Sequence, residues 1–348
     1  MFGKIISSSV QKNNYLKIIK ENFNFEIKKD NKNLFVSTIS KELLIKEKEN
    51  KKVEKDLLCE MNNNTELSNI NDDKNTNLND EIVVGSSDEE NENIEPVQTF
   101  ILEENNLPES YNLVYNNVKI KNETNFDLTQ DILMPNIEFK DKQNILIFHT
   151  HTCESYTQTE YNSYKASGNY RTTDLNYSVA KVGDVLDEQL NLKGFNVLHN
   201  ISYHDYPSYN GSYSRSFNTV QKILSNIPNM QLVIDLHRDA IGSMNNYAPS
   251  VKIGDEVVAQ LMFVIGTDGG GLEHPNWQIN LKYAIKIQEK ANEMYPGLFR
   301  PIILRNSRYN QNLADAACII EVGATGNTLE QTTGAMKYLS DVIYETMK

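Results

Sequence analysis

Ile145-Leu146-Ile147-Phe148-His149-Thr150-His151-Thr152-Cys153-Glu154-Ser155-Tyr156 opens as an unbroken apolar run and ends abruptly in two histidines and a carboxylate. A short run without alternation reads as a strand covered on both faces, as in a parallel α/β sheet, where active sites gather at the strand's carboxyl end. His151 and Glu154 are separated by two residues. That His-x-x-Glu spacing lets one turn present an imidazole nitrogen and a carboxylate oxygen to a single zinc ion. His149 lies one alternation earlier on the same face and remains a competing first ligand; the Glu partner at the right spacing favours His151.

A hydrolytic zinc site needs three protein ligands and one open position, and other strand ends supply candidates. Leu232-Val233-Ile234-Asp235-Leu236-His237-Arg238 is a second apolar run ending in a histidine, and Ala316-Ala317-Cys318-Ile319-Ile320-Glu321-Val322-Gly323 is a third ending in a carboxylate before a Gly-rich turn. If these strands are parallel, their titratable ends meet on one edge. His151, Glu154 and His237 would then hold zinc, which polarises an amide carbonyl and lowers the pKa of bound water to about 7. Glu321 would take that water's proton and pass it to the leaving nitrogen. Arg238, with its planar fork, would meet a substrate carboxylate.

Each assignment has a plainer rival. A lone strand-end histidine is ordinarily just hydrogen-bonded; three such strand ends together favour a shared site. Asp174 is an alternative second ligand, but its place before an amphipathic run suits a helix cap. His199, His204 and His274 are read as surface or substrate-side residues. The Tyr-rich loop from Tyr203 to Ser216 is read either as a platform for sugar or peptide or as structural packing. Gly266-Thr267-Asp268-Gly269-Gly270-Gly271 lacks the Lys-Ser/Thr ending of a phosphate loop and is read as a turn. The absence of a Gly-x-Ser-x-Gly elbow weighs against a serine hydrolase.

The 348 residues carry a net charge of −13 and 39% hydrophobic residues, unevenly spread. Residues 1 to 50 hold ten Lys and six acids, whereas residues 51 to 100 hold four Lys and thirteen acids. So acidic a chain is a poor nucleic-acid binder. Three cysteines, Cys59, Cys153 and Cys318, at no regular spacing give no disulfide framework and no Cys-x-x-Cys metal site. No apolar run reaches the roughly 18 residues of a membrane span, and Met1 to Val10 is too short and polar for a signal peptide.

Four segments are expected. Residues 1–47 form a poorly defined N-terminal segment, 48–96 an acidic Asn-rich disordered linker, 97–139 a lead-in with edge strands at Val97 to Leu102 and Tyr111 to Ile120, and 140–348 the catalytic domain. Within that domain strands and helices alternate, predicting an α/β fold. Leu175, Val179, Val182, Leu186 and Leu190 recur at helical spacing after Thr173 or Asp174 as cap, with Gly194 closing. Phe195 to Leu198 is a strand, Phe217 to Leu224 a short helix, and Gly254-Asp255 a hairpin turn between Val251 to Ile253 and Val257 to Ile265, which suggests a mixed sheet. Helices over Asn276 to Glu293 and Thr328 to Met347 flank strands at Ile302 to Leu304 and Cys318 to Val322.

Four blocks resemble those of the stage II sporulation protein P family: His149 to Tyr156, His204 to Ser216, Asp235-Leu236-His237-Arg238-Asp239-Ala240, and Ile320-Glu321-Val322-Gly323-Ala324-Thr325-Gly326-Asn327. The resemblance runs over about residues 140 to 348. It implies a three-layer αβα fold with a mixed, mostly parallel central sheet like that of zinc-dependent N-acetylmuramoyl-L-alanine amidases. It further implies an amidase acting on peptidoglycan, with added endopeptidase activity on cross-links, during engulfment beside stage II sporulation proteins D and M and outside the cytoplasm. In the wider amidase class a His, a Glu and a second His bind zinc and a late Glu is the base, which fall here on His151, Glu154, His237 and Glu321. The ligand Glu of that class usually lies farther from the first His, near Thr172 or Asp174 here. Family members are usually anchored by an N-terminal membrane segment, which is not visible in this sequence. A non-catalytic wall-binding or scaffold module, and a zinc carboxypeptidase-like peptidase sharing the His-x-x-Glu pattern, are the rival readings.

Overall fold

The computed structural model describes residues 110–139, 144–227, 229–241 and 246–348. The expectations for residues 1–47, for the linker at 48–96 and for a strand at Val97 to Leu102 lie outside them. The elements are strands β1 (Leu113–Tyr115), β2 (Val118–Asn122), β3 (Asn144–Phe148), β4 (Asn196–His199), β5 (Leu232–Asp239), β6 (Ser250–Ile253), β7 (Glu256–Ala259), β8 (Leu261–Gly266), β9 (Ile302–Arg305) and β10 (Ala317–Ala324), with helices α1 (Gln130–Leu133), α2 (Val179–Leu192), α3 (Ser212–Asn226), α4 (Trp277–Met294) and α5 (Leu329–Met347).

Eight strands form one sheet in the order β1-β2-β9-β8-β10-β5-β3-β4. Neighbours run parallel except at β1–β2 and at β8–β10. The sheet is therefore mixed and mostly parallel, for a reason different from the one the hairpin suggested. The Gly254-Asp255 turn joins β6 to β7 in a separate two-stranded sheet, and the apolar run after it breaks at Gln260 into β7 and β8. The β1–β2 hairpin extends the main sheet beyond β9, so part of the lead-in segment edges the same sheet.

β3 shows why the apolar run lacks alternation. Ile145 and Ile147 pack into a core with Val182 and Leu186 of α2, Leu281 of α4 and Leu339 of α5, whereas Leu146 and Phe148 face Val220, Ile223 and Leu224 of α3. A strand with helices on both faces must be apolar at every position. Three layers result, with α2, α4 and α5 on one face and α3 on the other. α5 begins with a capping box in which Thr328 and Gln331 satisfy each other's backbone N–H. α2 starts later than its periodicity suggests: Ser178 is the cap, because Asp174 is occupied in a local turn, accepting from Asn176 N at 3.0 Å. Among the described residues no helix is long and apolar enough to cross a membrane.

Candidate active site at the carboxyl edge of the sheet

β10, β5 and β3 are adjacent and mutually parallel, so their carboxyl ends open onto one edge. The turn after β3, His149 to Ser155, is buried throughout and held from several sides. His204 Nδ1 pairs with the His149 carbonyl at 2.7 Å, Thr152 Oγ1 donates to Ser202 O at 2.6 Å, and the Tyr170 to Thr172 segment pairs with Cys153 to Ser155 through Ser155 N to Tyr170 O and Thr172 N to Cys153 O, both 2.9 Å. Backbone fixed in this way delivers side chains without further ordering cost.

His151, Glu154, His237 and Glu321 are brought together. The His151 and His237 rings meet edge to face with centroids 5.3 Å apart. His237 Nδ1 lies 3.8 Å from Glu154 Oε2. Glu321 is the register partner of His237 on the neighbouring strand, so both side chains project from the same sheet face. Just beyond Glu321 the β10–β5 register shifts, with Gly323 at φ +63°, a bulge that ends the pairing at the site. His151 Nδ1 and Glu321 Oε2 are buried with no hydrogen-bond partner.

His149 is placed elsewhere. Its Nδ1 is 2.8 Å from Leu236 O and its Nε2 is 2.8 Å from His199 Nε2, so both ring nitrogens are occupied beneath α2. Asp174 is exposed in its own turn. Arg238 contributes its backbone N–H to Glu154 Oε2 at 3.0 Å, while its guanidinium is buried and donates to Tyr170 O at 3.2 Å and Asp239 O at 3.4 Å. The reading of His199, His204 and His274 as surface residues is corrected: His204 and His274 are 2% and 0% exposed, and the His199 side chain is 5% exposed. Their polar sequence neighbours concealed partners distant in sequence, Thr219 for His204 and His149 for His199. The Gly266 to Gly271 stretch is a turn, closed by Thr267 N to Ser307 O and Gly270 N to Asn306 O.

Several site residues had no sequence assignment. Asp235 Oδ1 lies 2.9 Å from His237 Nε2 while accepting from Thr150 N at 2.8 Å, so one carboxylate braces both the β5 histidine and the β3 turn. Period-two spacing of Asp235 and His237 along one strand face was the available signal. Asp205, Arg171, Tyr209 and Tyr213 surround His151; only the Tyr-rich composition of their loop pointed to any of them.

Electrostatics follow from burial. Desolvation holds the His151 imidazole well below its ordinary value, and His237 and Arg171 push the same way. Burial alone would lower His237 too, but Asp235, then Glu154 and Glu321, outweigh it and raise the group to about 10. Burial, then the Asp239 charge, lifts Glu321 to about 8, and burial raises Glu154. Buried carboxylates around one imidazole favour its charged form. Among the described residues no group of three or more His, Cys, Asp or Glu side chains is arranged to hold a metal ion as it stands.

The family model of Stage II sporulation protein P (SpoIIP) matches residues 8–344. This chain belongs to that family. Stage II sporulation protein P of Bacillus subtilis (strain 168) is 28% identical over 223 residues, 59% of this chain and 51% of that protein. The chain thus spans about half the length of the curated relative it matches. Among solved structures, the chain is similar to the CwlD amidase from Clostridioides difficile, solved in complex with the GerS lipoprotein, at 12% identity, covering 59% of this chain and 95% of that one with a TM-score of 0.37. It is also similar to the N-acetylmuramoyl-L-alanine amidase AmiC2 of Nostoc punctiforme, at 10% identity over 60% of this chain and 96% of that one with a TM-score of 0.34.

Proposed function

We propose that this SpoIIP-family chain is a zinc-dependent peptidoglycan hydrolase that cuts the amide between N-acetylmuramic acid and L-alanine, and also peptide cross-links, during engulfment in sporulation. The observation that carries the reading is the convergence of His151, Glu154, His237 and Glu321 on one sheet edge with His151 Nδ1 and Glu321 Oε2 unpartnered. The donor set suits zinc: ligand atoms of a tetrahedral zinc lie about 3.4 Å apart, and Glu154 Oε2 and His237 Nδ1 are already 3.8 Å apart.

When bound, zinc supplies Lewis acidity to the scissile carbonyl. His151 and His237 would each turn a ring nitrogen toward it, His237 giving up the proton that it holds in the metal-free fold, with Asp235 beside the His237 ring at 2.9 Å. Glu154 supplies the third donor and is itself steadied by the Arg238 N–H. Glu321 accepts the proton of the attacking water; as the C–N bond breaks, it returns that proton to the leaving nitrogen. Arg238 is assigned to a substrate carboxylate; its Nε is buried and unpartnered. The reading puts the chain outside the cytoplasm at the engulfing membrane, with stage II sporulation proteins D and M as partners.

The test is mass spectrometry of purified peptidoglycan incubated with the full chain, with zinc and after chelation. Zinc-dependent release of stem peptides beginning in L-alanine, leaving bare glycan, is the expected result. Cut cross-links with every sugar–peptide bond intact would replace the amidase by an endopeptidase, and no cleavage by a folded, zinc-loaded chain would leave the wall-binding module as the better account.

A further inference from the structure

The proposed ligand His151 is enclosed by side chains that the mechanism does not use. Tyr209 lies flat on its ring, with centroids 4.6 Å apart and planes 7° from parallel, and the Tyr209 hydroxyl is 3.3 Å from His151 Nε2. The Arg171 guanidinium also packs against the Tyr209 ring, 4.9 Å from the ring centroid. Arg171 pairs with Asp205, whose side chain is fully buried and whose Oδ2 is 3.9 Å from His151 Nδ1. Asp205 in turn accepts from the Cys153 backbone N–H at 3.2 Å, inside the His151 to Glu154 turn.

Both ends of this stack are anchored in backbone. Arg171 bridges directly across to Glu154, so the strand that carries the cation is paired to the turn that carries the carboxylate ligand. The Tyr209 loop is clamped by Arg215, which donates to the His204 and Ser208 carbonyls at 2.5 Å each. A guanidinium over a tyrosine face and an aromatic pair of this geometry are each attractive beyond the area they bury. A histidine held only by its backbone would instead rotate about its side-chain bonds.

We propose that Arg171, Tyr209 and Asp205 form a clamp that holds the His151 ring in one orientation, making Tyr209 and Arg171 positioning residues for the proposed metal ligand. The inference rests on the zinc reading above. The stacking face of Tyr209 is the working part, and its hydroxyl is not.

Zinc affinity of the full chain, measured by competition with a chromophoric chelator, tests it without reference to turnover. Tyr209→Leu should weaken zinc binding by about 10- to 100-fold, the usual loss when a supporting neighbour of a ligand is removed, and Tyr209→Phe should bind within about twofold of the wild type because the stack survives. Equal affinity in the Leu and wild-type chains, or a Phe variant as weak as the Leu variant, overturns the clamp. A second measurement needs no variant at this position: in the metal-free wild type, His151 ring protons, assigned against His151→Gln, should be shifted upfield by the Tyr209 ring current, and ordinary shifts overturn the proposal. Failure of the wild type to take up zinc while that upfield shift is present would sink the zinc reading, and with it the clamp's purpose, but leave the stack itself demonstrated.

Discussion

At the scale of single residues the proposed site separates zinc donors from a base. Glu321→Gln removes only the proton-accepting role, so the variant should keep its zinc while turnover on peptidoglycan falls by at least about 100-fold; full turnover with zinc retained would remove Glu321 from the mechanism. His237→Ala removes a donor and leaves the Asp235, Glu154 and Glu321 carboxylates without their imidazole. Its zinc occupancy after dialysis should drop well below one per chain, measured by elemental analysis, and an unchanged occupancy would mean the ligand set is wrong. Of these four residues His151, Glu154, His237 and Glu321 were all legible, because each sits where a short apolar run stops. Asp235 was passed over as one more residue inside a run, because its contact with Thr150 joins it to a turn 85 positions away.

At the scale of elements, helix α2 passes so close to β3 and β4 that a Cβ on Gly183 would stand 2.4 Å from His199 Nε2 and 2.9 Å from His149 Nε2. Glycine in a helix interior ordinarily costs about 1 kcal/mol relative to alanine, so Gly183→Ala would be stabilising on propensity alone. Here the two rings are hydrogen-bonded to each other and cannot withdraw cheaply. The substitution should destabilise the chain by about 1–3 kcal/mol, read as a lower urea midpoint; a rise in the midpoint would show that the pair yields easily. At the other closing helix, Thr328→Ala removes the cap of α5 and should cost about 1 kcal/mol with no effect on zinc binding. Both helices could be read from sequence, and the start of α5 at Thr328 was placed correctly, whereas its capping box with Gln331 is a finding of the structure. The start of α2 was misplaced because Asp174 prefers its own local turn.

At the scale of the whole molecule, buried charge sets the pH response of the metal-free fold. His237 is raised from 6.5 to about 10, so its contribution is present below pH 6.5 and lost as pH rises toward 10. Glu321, raised from 4.5 to about 8, keeps a proton in the folded state that the unfolded chain has already released, which likewise removes stability as pH rises. Both signs agree, and the chelated chain should show a Tm that falls steadily from about pH 6.5 to about pH 9.5. His149 and His151, lowered by burial, oppose this only on the acid side. A flat or rising Tm over the alkaline range would contradict the electrostatics drawn for the site, and zinc should flatten the slope by replacing the protons.

The sequence by itself determined that strands alternate with helices, that three of the strands end in histidines or carboxylates, and that the blocks around those ends resemble one family, because apolar runs and helical spacing are local properties. Tertiary structure alone decided the strand order, which places β10, β5 and β3 side by side, and the antiparallel entry of β8. It alone decided that His149 turns inward to His199 while His151 faces the site, a choice that alternation along one strand cannot make. It also assembled Asp235, Asp205, Arg171 and Tyr209 around the histidines. Such contacts join residues tens of positions apart, and their energies depend on burial and distance, which the linear order of the chain does not contain.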